Sequence, residues 1–132
     1  MKVIDKLAWI ELKDKTILST KSFRKDKFYI PGGKREGAET DEQALIREIH
    51  EELNVILDKK SLTYIGTFEA QAHGHLEGVL VRMTCYSGTF TGELKACSEI
   101  EEFEYLNYSD IKKVSAVDKL IFEYLRENGA LR

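Results

Sequence analysis

The sequence predicts a mixed α/β (α+β) fold, with helices packed on the faces of a mixed β-sheet. Three observations point there. Several short runs are rich in β-branched and aromatic residues, residues 41–53 repeat apolar side chains at helical spacing, and a second amphipathic segment lies near the C-terminus. The 132 residues suit one domain, residues 1–132, large enough to bury a core without staples.

Residues 3–12 (VIDKLAWIEL) and 16–22 (TILSTKS) are β-leaning runs separated by KDK, a hairpin pattern. A basic loop, SFRKDK, follows. FYIPGG is then a brief apolar run ended by the chain's only proline, Pro31, which has no N–H for a ladder. From Asp41 to Leu53 the pattern is helical, with Leu45, Ile49 and Leu53 forming a stripe flanked by Ala44 and Ile46. Thr40 and Gln43 have capping-box spacing, and Asn54 suits a left-handed helix terminus.

Residues 62–71 and 78–90 predict two strands around the loop AHGHLE, and Thr91-Gly92 marks a turn after which ELKA begins a further strand. The acidic SEIEEFEYL leads into another short strand, and residues 107–114 are irregular or briefly helical. Ser115 opens the last helix, with Asp118 at the capping-box position, Val117, Leu120, Ile121 and Leu125 on its apolar face, and Gly129 at its end.

Composition narrows the function. Hydrophobic residues make up 42% and charged residues 33%, as in ordinary globular domains. A formal net charge of -3 lacks the basic excess of proteins that bind nucleic-acid polymers or membranes. The two cysteines, Cys85 and Cys97, are too few and too far apart for a disulfide framework or a structural zinc site. Acidic residues interrupt the apolar N-terminus, and no stretch is long enough to span a membrane, so a reducing, cytoplasmic setting is expected.

The chemistry concentrates in REIHEEL, residues 47–53. On a helix, Glu52 lies ~40° to one side of Glu48 and Glu51 ~60° to the other, so the three acids share an arc of about 100°. That arc adjoins the apolar stripe, at the edge of the packed face. Alone, such a cluster is usually a solvated surface. Carboxylates grouped this way can also hold a hard divalent cation, which takes oxygen ligands and shares substrate phosphates.

The surroundings favour the second reading. Gly33, Glu39 and Arg47 stand at fixed intervals before the acids. The stretch GKREGAETDEQALIREIHEELNV, residues 33–55, resembles the box of the Nudix hydrolases, G-x5-E-x7-R-E-U-x-E-E-x-G-U with U aliphatic. It fits at every specified position except Asn54, where the family has Gly. Asn tolerates the left-handed conformation, so the departure is conservative. The Pro31-Gly32 pair upstream also resembles the family.

The resemblance implies an α/β/α sandwich with a central mixed sheet, a loop–helix carrying the box, and a C-terminal helix. It implies a Mg²⁺-dependent (or Mn²⁺-dependent) hydrolase of a nucleoside diphosphate linked to another group. Glu48, Glu51 and Glu52 would be metal ligands, with the Gly32 carbonyl as a further one. Arg47 would orient the carboxylates, Glu39 would brace the loop, and Gly33 would serve the turn. The base varies among similar proteins, being the counterpart of Glu48 in some and a loop acid in others. In the MutT-like pattern a metal-binding Glu lies six residues before an aromatic; if Tyr105 is that aromatic, Glu99 is selected, with Glu101 and Glu102 as runners-up.

Arg24, Lys34 and Arg35 are basic residues near the box that could hold phosphate. His73 and His75 suggest an exposed loop or substrate lid more than a metal site. Trp9, Phe68 and Tyr86 suit the core or a sheet face. The expected substrate is a small nucleotide, a (d)NTP or modified NTP. The alternatives are a nucleoside diphosphate sugar such as ADP-ribose, or a non-catalytic nucleotide-binding module. The segment KKVSAVDKL lacks the Asn that reads oxidised guanine in bacterial MutT proteins, leaving Asp118 or another group to replace it. The resemblance also allows a homodimer.

Overall fold

Even and odd positions of the first strand part company. In the computed structural model, which describes residues 2–72 and 77–132, Ile4, Ala8 and Ile10 enter one buried cluster while Leu7 and Trp9 enter another. Successive side chains of a strand point to opposite faces, so a single central segment serves two cores.

The chain order is β1 (Lys2–Trp9), β2 (Leu12–Lys13), β3 (Thr16–Ser22), β4 (Gly32–Lys34), α1 (Asp41–Leu53), β5 (Ile56–Leu57) and β6 (Thr63–Gln71). Then come β7 (Val79–Ser87), β8 (Phe90–Thr91), β9 (Ile100–Leu106) and α2 (Ala116–Glu127), with 3-10 turns at Lys59–Ser61 and Tyr108–Lys113. The main sheet is mixed, in the order β4-β1-β7-β6, and β1 runs parallel to β7 but antiparallel to β4. A second sheet, β2-β3-β9, is antiparallel, and β5 pairs with β8.

Helix α1 packs Ala44, Leu45, Ile49 and Leu53 against Leu7, Trp9 and Leu18. Helix α2 packs Val117, Ile121, Phe122 and Leu125 into the other cluster with Val81, Met83 and Cys85. The two helices thus cover opposite faces, the sandwich the sequence predicts. No helix among the described residues is long and apolar enough to cross a membrane.

The ends of α1 follow local chemistry. Thr40 Oγ1 accepts from the Gln43 N–H at 3.1 Å, and the Gln43 side chain accepts from the Thr40 N–H at 2.9 Å, a complete capping box. Asn54 adopts φ 65° and closes the helix with its N–H on the His50 carbonyl.

Other expectations are corrected. Residues 3–12 are not one arm of a hairpin with 16–22: only Leu12–Lys13 pair with β3, and β1 belongs to the other sheet. The 78–90 run ends at Ser87, and Phe90–Thr91 pair separately with β5. In FYIPGG the strand follows Pro31 rather than ending there. Tyr29 makes only an isolated bridge to Thr20, and the ladder to β1 begins at Gly32. ELKA forms no strand, because its backbone bonds the end of α1 instead. The acidic stretch does not precede a strand; most of it is β9. Ser115 makes no side-chain cap, and Asp118 Oδ2 instead accepts from the Ile30 N–H at 2.9 Å. His73 and His75 lie outside the described residues.

The left-handed turn at Asn54 gives a prediction. Asn54→Ala should lower unfolding free energy by about 1 kcal/mol, whereas Asn54→Gly should be neutral or stabilising. Urea midpoints of the two variants check this, and equal destabilisation by both would contradict the role of the backbone conformation.

Candidate active site

The acids of α1 are graded by depth. The Glu52 residue is 8% exposed, while the side chains of Glu48 and Glu51 are 16% and 54% exposed. That gradient is the one their positions around the helix dictate. Glu52 reaches the strand below, where its Oε1 accepts from the Gly32 N–H at 3.2 Å.

Two glycines make this approach feasible. A Cβ on Gly33 would stand 2.4 Å from the Glu48 carboxyl carbon, and one on Gly32 would stand 1.9 Å from the Leu7 carbonyl oxygen. A side chain at Gly32 would collide with the backbone of β1, and one at Gly33 would displace the Glu48 carboxylate. The pair therefore brings β4 under the acids and against β1.

Arg47 ties the loop to the helix. Its Nε and Nη2 contact the two carboxylate oxygens of Glu39 at 2.8 and 2.9 Å, a bidentate pair. Its Nη1 lies 3.1 Å from both Glu48 Oε2 and Glu36 Oε1, and Nη2 also donates to the Lys34 carbonyl. Glu39 in turn accepts from the Glu36 N–H at 2.8 Å. The guanidinium, with that backbone bond, holds the Glu39 carboxyl down at about 2.

Glu99 arrives from far along the chain. The Lys95 and Cys97 N–H groups donate to the Leu53 and Glu52 carbonyls, docking the 93–99 segment on the last turn of α1. Such carbonyls have no partner within the helix. Glu99 then stands close enough that its charge bears on both Glu52 and Glu48. Burial, then the charges of Glu99 and Glu48, push the Glu52 carboxyl up to about 8, against the opposing Gly32 bond. Burial likewise raises Glu48, opposed by Arg47. By contrast Glu101 is paired with Lys21 at 2.7 Å, and Glu102 lies opposite Lys21 on β9.

Crowded carboxylates with one shared cation have the donor chemistry of a hard-metal site: oxygen only, and net negative. Among the described residues no three ligand side chains yet enclose a point. Glu48 and Glu51 turn toward Arg47, while Glu52 and Glu99 face each other.

Behind Glu52 and Gly32 a cavity of about 190 Å³ runs between the main sheet and the start of α2. Its wall is apolar at Ile4, Val81 and Met83, and polar at Lys6, Lys25 and Ser115. Arg24, Lys34 and Arg35 are not among its lining residues. Arg35 is held by Asp41 at 2.7 Å and Asp5 at 3.5 Å, near the start of α1. Arg24 lies in the exposed loop after β3 with φ 66°. Trp9 is fully buried, Tyr86 donates to Asp41 at 2.7 Å, and Phe68 packs edge-on against Tyr124. Lys6 was not singled out by sequence reasoning. The available signal was its place between Ile4 and Ala8 on one buried face of β1.

The NUDIX domain family model matches residues 7–125. A curated relative, the ADP-ribose pyrophosphatase of Methanocaldococcus jannaschii, is 33% identical over 107 residues, or 77% of this chain. The matched region spans 60% of that relative's length. The E. coli ORF135 protein superposes with a TM-score of 0.74 at 24% identity, covering 96% of this chain and 92% of that one. A MutT NUDIX hydrolase from Burkholderia pseudomallei gives 0.75 at 20% identity, covering 93% and 98%.

Asp118 of α2 is fully buried, and burial pushes its carboxyl up to about 7 despite the Ile30 and Ser115 bonds. The native state therefore keeps a proton that the unfolded chain, at the ordinary 3.8, has released. This contribution is complete below pH 3.8 and is lost as pH rises through about 7. Asp118→Asn keeps an acceptor for Ile30 and offers amide hydrogens to Ser115. Relative to wild type it should gain stability between pH 4.5 and 7.5, up to about 4 kcal/mol. Parallel stability–pH curves for the two proteins would refute the assignment.

Proposed function

This chain belongs to the NUDIX domain family, and on that premise we propose that it is a divalent-metal-dependent pyrophosphohydrolase acting on a small nucleotide. The observation that carries the reading is the meeting of Glu52, Glu48 and Glu99 at the rim of a cavity lined by Glu52 itself. A metal centre beside a cavity of mixed polarity suits a substrate with a diphosphate at one end and an organic group at the other.

Glu48, Glu51, Glu52 and Glu99, with the Gly32 carbonyl, would hold Mg²⁺ or Mn²⁺. When bound, such an ion polarises a phosphoryl oxygen and acidifies a water. The protein's own contribution is positional. Arg47 fixes Glu48 against Glu39, and the Gly32 N–H fixes Glu52. Water attacks a phosphorus of the diphosphate, and the P–O bond to the leaving phosphate breaks. Glu48 and Glu99, flanking Glu52, are the candidates to take the water's proton. Arg24, Lys34 and Arg35 remain candidates for the outer phosphates, which a loop movement would have to bring within reach.

A (d)NTP or modified NTP is the first substrate class. The likeness to the M. jannaschii ADP-ribose pyrophosphatase favours a nucleoside diphosphate sugar as the second. Both share the diphosphate and differ in what hangs from it.

Phosphate-product release from a panel of (d)NTPs and ADP-ribose with Mg²⁺ is the test. The Glu51→Gln, Glu52→Gln double variant, folded by circular dichroism, should lose more than the ~100-fold typical of removing a residue that merely supports a ligand. Chelation of divalent ions should abolish turnover of the wild type. Full activity in the double variant would end the proposal.

A further inference from the structure

Lys6 poses a problem that the metal site does not solve. It sits at an inward position of β1 with Ile4 and Ala8 on either side, facing the cavity. No carboxylate of the described residues is paired with its Nζ, which lies over the Tyr29 ring, 5.9 Å from the centroid. Burial lowers its proton affinity, opposed chiefly by the field of Asp118. An ammonium withdrawn from water without a hydrogen-bonded partner is costly.

The facing wall has the complementary defect. Ser115 Oγ lines the cavity; it and Asp118 Oδ1 are both buried, and neither finds a partner beyond the other. A Ser115 hydroxyl whose proton serves Asp118 still has lone pairs to offer the cavity, and buried acceptors are normally paired. The cavity thus offers a donor from the sheet at Lys6 and an acceptor at Ser115, just before α2.

We propose that Lys6 is a specificity-determining residue that donates a hydrogen bond to a carbonyl oxygen of the substrate's base. The base whose edge fits carries C=O beside a ring N–H, the oxygen toward Lys6 and the N–H toward Ser115. Guanine, hypoxanthine and uracil present that edge. Adenine and cytosine present an exocyclic amine beside a bare ring nitrogen, which would place N–H against the ammonium and a lone pair against the Ser115 oxygen. This rests on the reading of the substrate as a nucleotide, and it assigns the cavity to the base.

Nucleosides lack phosphate, so their binding tests Lys6 without turnover. NMR titration of the full chain in Mg²⁺ buffer should show inosine binding about tenfold or more tighter than adenosine, and uridine tighter than cytidine, as one charge-assisted hydrogen bond predicts. Lys6→Met should remove the preference by weakening inosine and uridine. Lys6→Gln, which keeps a donor, should restore part of it, and it decides the matter if the Met variant does not fold. No nucleoside binding, no preference in the wild type, or a preference untouched in the folded Lys6 variants would overturn the assignment. Failure of the acid double variant to lose hydrolysis would instead sink the metal mechanism and leave the binding result intact.

Discussion

The last carbonyls of α1 need hydrogen-bond partners, and much of the site depends on how they get them. A helix of 13 residues cannot satisfy these groups itself. Here His50 is capped by the Asn54 N–H, while Glu52 and Leu53 receive the N–H groups of Cys97 and Lys95. A segment that would otherwise wander past the helix is thereby held along its final turn. Glu99 follows two residues later, so the backbone bond that satisfies the helix also sets an acid beside Glu52.

The same economy operates at the other side of the acids. Gly32 pairs with Ala8 in the sheet, donates to Glu52, and leaves no room for a side chain. Gly33 clears space for Glu48. Strand and helix can therefore approach until a carboxylate is almost wholly buried with one N–H for a partner. Such a group holds its proton strongly, and a nearby cation would relieve both its burial and the repulsion from Glu99. Arg47 supplies that relief only to Glu48 and Glu51, because its two strongest contacts belong to Glu39.

The cavity behind Glu52 extends this logic away from the acids. Lys6 and Ser115 approach it from the sheet and from the start of α2, elements that meet only through packing. Asp118 ties α2 to the strand entry: one oxygen holds the Ile30 N–H just before Pro31, and the carboxyl also bonds the Ser115 side chain. Movement of α2 would therefore disturb the strand entry as well as the cavity wall.

Some of this was written plainly along the chain. The helix from Asp41 to Leu53, its Thr40–Gln43 box and its Asn54 end all arise from residues within four positions of one another, where local sterics and hydrogen bonding decide. The arc of Glu48, Glu51 and Glu52 is equally local, since helix geometry places it. What only the tertiary structure decided is every relation across the sheet. These include the parallel pairing of β1 with β7, the strand that follows Pro31, the docking of 93–99 on α1, and the meeting of Lys6 with Ser115. Residue spacing encodes periodicity but not which distant backbone satisfies which, because that choice minimises exposed apolar surface and unpaired polar groups over the whole chain at once.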